Sequence, residues 1–293
     1  MGVGEWFSDF CGELRISTDL RNSFAYRTGR IVGQLNYDFR SIDSKTANRF
    51  YVGSYGRNTA IPSVSDVDVL YELPTALYEQ YDAYVTNGQS ALLSSVRASM
   101  RKTYPTSDIS GDGQVVAVNF DDSVRFEILP AFQNRGGYYT FPDSNNGGSW
   151  KTCKPKQEMN AFSDRDEQSN QNLVPLGRMV RSWRDCNNAS MSGMLIDTLA
   201  YQFMETWEYR NKSYLYYDWM TRDFFAFAAN QNDKQEYWLA PGSGSYVYRS
   251  GPFEYKARQA ELRAREAITY QTNGNDWSAK QKYREIYGTS FPT

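Results

Sequence analysis

The sequence predicts an α+β protein in two parts: residues 1–150 as a small sheet flanked by helices, and residues 151–293 as a mostly helical half. Three observations carry this prediction. Short β-rich runs alternate with stretches of helical periodicity in the first part. A Gly-, Asn-, Ser- and Asp-rich stretch, Arg135–Asn172, then breaks the pattern, most plainly at Asn145-Asn-Gly-Gly148. Beyond it come helical patterns without a β run of comparable strength. At 293 residues, 40% hydrophobic and 23% charged, the chain is long enough to bury a sizeable core.

The elements follow in order. Trp6, Phe7, Phe10, Leu14, Leu20, Phe24 and Ile31 recur near helical spacing, so one or two N-terminal helices are expected, continuing toward Phe39. Arg49–Gly53 is a short β run ending at a glycine, and Val67–Tyr71 is another, closed by Leu73-Pro74. Ala76–Val85 and Gln89–Thr103 read as helices. Gly111–Gly113 reads as a turn joining short β segments, and Gln114–Phe120 with Val124–Leu129 as a hairpin. Arg135–Asn172 is expected to be a long functional connector or lid. Leu173–Asp185, Met194–Tyr209, Tyr214–Ala229 and Phe253–Tyr270 follow as helices, with a brief hairpin within Tyr237–Tyr248.

Composition excludes whole classes of chemistry. The chain has no histidine, which removes Ser-His-Asp and Cys-His nucleophilic mechanisms and every His-ligated metal site. Any metal must sit on oxygen ligands, which suits Mg²⁺ and also Mn²⁺. Cys11, Cys153 and Cys186 are scattered and form no CxxC pair, so free thiols in a reducing cytoplasm are expected. There is no signal-peptide pattern and no run of about 18 apolar residues, so no membrane span is expected. A net charge of −2 argues against general DNA binding.

Chemistry concentrates in Gly53-Ser-Tyr-Gly-Arg-Asn-Thr-Ala-Ile-Pro-Ser-Val-Ser-Asp-Val-Asp68. Residues i and i+2 of a strand share a face, so Asp66 and Asp68 can grip the same cation, or two side by side. Gly53 admits the backbone close to phosphates, and Ser54 offers a hydroxyl and an amide at the start of a helical turn. Metal-assisted phosphoryl transfer needs this combination. Glu127, flanked by apolar residues in Phe126-Glu-Ile-Leu-Pro-Ala-Phe132, supplies a third carboxylate, and its competing reading is a salt bridge with Arg125. Asp112, Asp121 and Asp122 sit in apparent turns and are weaker candidates. Lys151, Lys154 and Lys156 form a small basic cluster whose favoured reading is a solvated loop.

Tyr51–Leu73, the Phe126–Phe132 run and the closing Tyr287-Gly-Thr-Ser-Phe-Pro292 together resemble the bacterial CD-NTases. These are relatives of cyclic GMP–AMP synthase and oligoadenylate synthase in the DNA polymerase β-like nucleotidyltransferase superfamily. The resemblance implies a small mixed sheet flanked by helices, packed against a helical half that completes the nucleotide cleft. It implies an enzyme using NTPs, ATP among them, to make a cyclic di- or trinucleotide signal in antiphage defence, with a downstream effector responding to the product and an activating protein or RNA allowed. It also implies that Asp66, Asp68 and Glu127 bind the metal, that Gly53 and Ser54 hold the triphosphate, and that Arg178, Arg181 and Ser192 contact it. A plain basic face and a helix cap account for those last three equally well. Two alternatives remain: modification of an antibiotic or an RNA end, and a catalytically silent nucleotide- or RNA-binding sensor.

Overall fold

The computed structural model describes residues 2–293. The chain runs through α1 (Val3–Glu13), α2 (Thr18–Arg40), β1 (Arg49–Tyr51) and a single turn, α3 (Gly53–Gly56). It continues through β2 (Asp66–Glu72), α4 (Thr75–Asp82), α5 (Gly88–Thr103), β3 (Asp108–Asp112), β4 (Val115–Asn119) and β5 (Arg125–Gln133). Next come β6 (Tyr139–Asp143), β7 (Ser149–Cys153), α6 (Pro155–Gln168), α7 (Leu173–Asn187) and α8 (Gly193–Thr206). The chain closes with α9 (Tyr217–Ala229), β8 (Tyr237–Leu239), β9 (Tyr246–Tyr248), α10 (Glu254–Thr272) and α11 (Asp276–Tyr287).

These elements form two units. One comprises residues 16–56 and 63–159; the other comprises residues 1–15, 57–62 and 160–293. The division falls near residue 160 rather than 150, and α1 joins the C-terminal helices rather than the sheet.

The first unit is a mixed sheet of strand order β1-β2-β5-β4-β3, with β6 pairing β5 and β7 pairing β6. Only β2 and β5 run parallel; the other pairs are antiparallel. Strand alternation separates two faces. Val67 and Val69 stand beside Phe126 and Ile128, all fully buried. On α2, Phe24, Ile31, Val32 and Leu35 recur at helical spacing and are also fully buried. Ser17 opens that helix, its Oγ accepting from Leu20 N at 3.2 Å, and Ser41 closes it in the left-handed region. On the other face, Leu70, Ala131, Tyr139 and Phe141 form a small apolar cluster at one end, while Asp66, Asp68, Arg125 and Glu127 occupy the other.

The second unit packs α1, the greater part of α6 and α7–α11 around a large apolar core. Phe7 of α1 meets Tyr283 and Phe291 edge-on or nearly so, with ring centroids 5.1 and 5.2 Å apart. A fully buried stripe of Ala257, Ala260, Ala264 and Ala267 lets α10 pack closely in this core. Among the described residues, no helix is long and apolar enough to cross a membrane.

The expected long connector over Arg135–Asn172 is instead the β6–β7 hairpin and the whole of α6. Asn145-Asn-Gly-Gly148 is the hairpin's turn, with Asn146, Gly147 and Gly148 at positive φ. Lys151 and Lys154, expected in a solvated loop, lie on β7 and just before α6. Lys151 pairs with Asp143, and Lys156 sits 4.9 Å over the Phe50 ring.

Candidate active site

Antiparallel pairing of β1 with β2 brings the Gly53 turn beside Asp68, since Val52 N donates to Asp68 O at 3.0 Å. Gly53 has φ +60°, and a Cβ there would lie 1.9 Å from Asp68 Oδ2. The carboxylate therefore rests in space that only glycine leaves open. Asp66 and Asp68 share one face of β2, with Asp66 exposed and Asp68 half-buried. In the parallel register, Asp66 stands opposite Arg125 and Asp68 opposite Glu127, so the three acids lie on adjacent strands of one face.

Their side chains are not yet gathered. Ser65 Oγ donates to Asp66 Oδ2 at 2.8 Å, and Arg125 Nε donates to Glu127 Oε1 at 2.7 Å. Arg125 also bonds Asp112 at 2.7 Å, so its guanidinium bridges two carboxylates. Burial works against that charge, yet the two carboxylates outweigh it and raise the Arg125 pKa. The salt bridge weighed as Glu127's competing role is thus present. Among the described residues, no three acidic or thiol side chains are already converged around a metal position. The donor set is nonetheless hard carboxylate oxygen, and the glycine cradle leaves Asp68 room, which fits Mg²⁺ or Mn²⁺.

In the other unit, Arg178 and Arg181 are turned toward partners within that unit. They are 7% and 3% exposed. Arg181 forms a two-pronged ion pair with Asp197, through Nη1 to Oδ1 at 2.6 Å and Nη2 to Oδ2 at 2.9 Å. Arg178 donates to Asn58 O from Nε at 3.1 Å and from Nη2 at 2.8 Å. The amphipathic pattern of α7 cannot distinguish a solvent-facing arginine from one facing a buried acid. Ser192 Oγ accepts from Leu195 N at 3.1 Å and caps α8.

Sequence reasoning missed Asp197, which is fully buried. It also accepts from Arg57 Nε at 2.8 Å and Thr59 Oγ1 at 3.1 Å. Burial would push its carboxyl up, but the charges of Arg181 and Arg57 hold it below the usual range. A lone acid in the apolar run Met194-Leu-Ile-Asp-Thr-Leu-Ala200 was the available signal, by the logic that found Glu127.

The mixed sheet with its flanking helices has the polymerase β-like nucleotidyltransferase fold. Residues 1–166 match the model of the Second Messenger Oligonucleotide or Dinucleotide Synthetase domain, and the chain belongs to this family, the bacterial CD-NTases. It is therefore an enzyme, a nucleotidyltransferase that makes an oligonucleotide second messenger. The fold is similar to that of CdnC from E. coli MS115-1, solved with ATP, at TM-score 0.68 and 15% identity over 99% of this chain and 98% of that one. It is also similar to GTP-bound DncV of Vibrio cholerae, at TM-score 0.68 and 11% identity over 100% and 96%. CdnG of Bradyrhizobium diazoefficiens, in complex with GTP, matches at TM-score 0.68 and 9% identity over 97% and 94%. No functionally curated protein shows a significant match.

Proposed function

We propose that Asp66, Asp68 and Glu127, with the Gly53–Ser54 turn, form the site at which this chain joins NTPs, ATP among them, into a cyclic di- or trinucleotide. The register that sets Asp68 beside Glu127, two residues beyond Asp66 and against the Gly53 cradle, carries this reading. Magnesium or manganese held there would polarise the α-phosphate and neutralise the pyrophosphate leaving group. Asp66 and Asp68 are the holding pair, and Glu127 joins them by exchanging its bond with Arg125. Gly53 and Ser54 receive the triphosphate through backbone and hydroxyl. A ribose hydroxyl of the acceptor gives up its proton and attacks the donor α-phosphorus as the bond to pyrophosphate breaks. In the last step a free ribose hydroxyl of the linear product attacks the α-phosphorus of its own remaining triphosphate, releasing another pyrophosphate as the ring closes.

Relatives solved with ATP and GTP support NTP substrates, and the CdnC:HORMA-deltaN complex supports an activating protein. A downstream effector reading the product in antiphage defence belongs to the same proposal.

Incubating the purified protein with Mg²⁺ and all four NTPs, followed by mass spectrometry, tests it. Pyrophosphate release with a phosphatase-resistant product is expected, and Asp66→Asn with Asp68→Asn should reduce turnover to background in a protein that still melts cooperatively. A nucleotidylated aminoglycoside or RNA end would point to the modifier reading. Undiminished turnover in the double variant would remove the proposed site.

A further inference from the structure

Arg57, Asn58 and Thr59 follow the Gly53–Gly56 turn without a break in the chain, and side chains of α7 and α8 hold all three. Arg57 and Thr59 bond the fully buried Asp197, itself held by Arg181. Arg178 takes the Asn58 carbonyl with two donors and its side-chain Oδ1 with Nη2 at 2.8 Å. Asn58 lies in the left-handed region at φ +60°, so the clamp fixes a backbone conformation that few residues adopt unaided.

We infer that Asp197, with Arg178 and Arg181, positions the phosphate-binding turn by locking the backbone where it leaves Gly53–Gly56. This rests on the reading of Gly53–Ser54 as the triphosphate cradle.

Two considerations favour positioning over plain stability. A buried ion pair is a poor stabilising device, because desolvation offsets much of the attraction and well-packed apolar groups often do as well. Its strength is directional, and here the directions converge on three consecutive residues. The helices are also shaped for the segment. A Cβ on Gly177 would meet Thr59 Cγ2 at 3.1 Å and Asp197 Oδ1 at 3.4 Å, and one on Gly193 would meet Arg181 Nη2 at 3.3 Å. Small residues at both positions leave the room that the socket needs.

Arg57→Gln is the informative variant, because it loosens the segment by removing its charged hold on Asp197 while leaving Arg181 and Asp197 paired. Amide hydrogen exchange of the peptide covering residues 53–62, affinity for a non-hydrolysable ATP analogue with Mg²⁺, and kcat are read together. Faster exchange in that peptide is expected, with affinity lower by about tenfold and kcat by about 100-fold, since a small misplacement suffices. Arg57→Lys should recover part of each. Gly177→Ala, which presses on Thr59, gives the same pattern by another route should Arg57→Gln fold poorly. Unchanged exchange and kcat in a folded Arg57→Gln protein overturns the inference, as does a lowered melting temperature with kcat intact. If the wild type turns over no NTP, the active-site reading has failed, and the exchange measurement still decides whether the segment is locked.

Discussion

Gly53 and Asp68 meet so closely that a single methyl group tests the site. An alanine at position 53 must hold a left-handed φ and displace a carboxylate from 1.9 Å. The backbone strain alone costs about 1–3 kcal/mol. Gly53→Ala should remain folded and lose about 100-fold or more in Mg²⁺-dependent turnover, because Asp68 is shifted from its place. Gly147→Ala is the control: its φ is +90° with no atom within 4 Å of the added Cβ, so it carries strain without collision. Equal turnover in both variants would show that the contact with Asp68 is immaterial. The placement of the three acids on neighbouring strands was readable in advance. Period-two alternation placed Asp66 and Asp68 on one face, and an acid within an apolar run flagged Glu127. The fate of Arg178 and Arg181 was not readable, because a helical period shows which residues share a face but not what that face meets.

Among the elements, α9 opens with an acid whose placement carries a pH signature. Asp218 lies in the first turn, where its Oδ1 accepts from Trp219 N at 2.8 Å. Its residue is only 5% exposed. Burial raises its pKa from the ordinary 3.8 to about 6, and the Trp219 amide and the Arg222 charge only partly oppose the shift. Because the folded state binds this proton more tightly, the contribution to stability is full below the unfolded value and is lost as pH rises through about 6. The difference amounts to roughly 2–3 kcal/mol. Asp218→Asn should therefore raise the unfolding free energy by up to that amount at pH 7.5 and by little at pH 4. Equal gains at both pH values in denaturant titrations would refute the burial account. Elements with strong apolar periodicity were legible, including α5, β5 and α7. The expected helix at Ala76–Val85 and hairpin within Tyr237–Tyr248 also match α4 and the β8–β9 pair. Helix α6 was hidden because its hydrophobic content is low and Phe162 is its deeply buried apolar residue. Helix α11 was hidden because Ala279, Tyr283, Ile286 and Tyr287 are spaced among charged and polar residues.

For the whole molecule, contiguity in sequence misled where contiguity in space rules. Helix α1 precedes the sheet in the chain, yet Trp6, Phe7, Phe10 and Leu14 are each at most 3% exposed in the core of the C-terminal helices. Phe10 lies 4.8 Å from Tyr287 and 5.2 Å from Phe291, both near the far end of the chain. Each such side chain contributes about 1.5–3 kcal/mol when fully buried. Four of them rival the roughly 5–15 kcal/mol that keeps a typical domain folded. Deleting residues 1–15 should therefore unfold the helical unit selectively, exposing residues 160–293 to protease, while the sheet unit, which contributes no part of this cluster, keeps its protection. Limited proteolysis with mass mapping reads this directly, because cuts in α7–α11 and cuts in β2–β5 give separable fragments. If the truncated chain resists cleavage across α7–α11 as the full chain does, α1 is only an accessory to that core. If the sheet is cut equally fast, the two units unfold together rather than as the separate bodies their cores suggest.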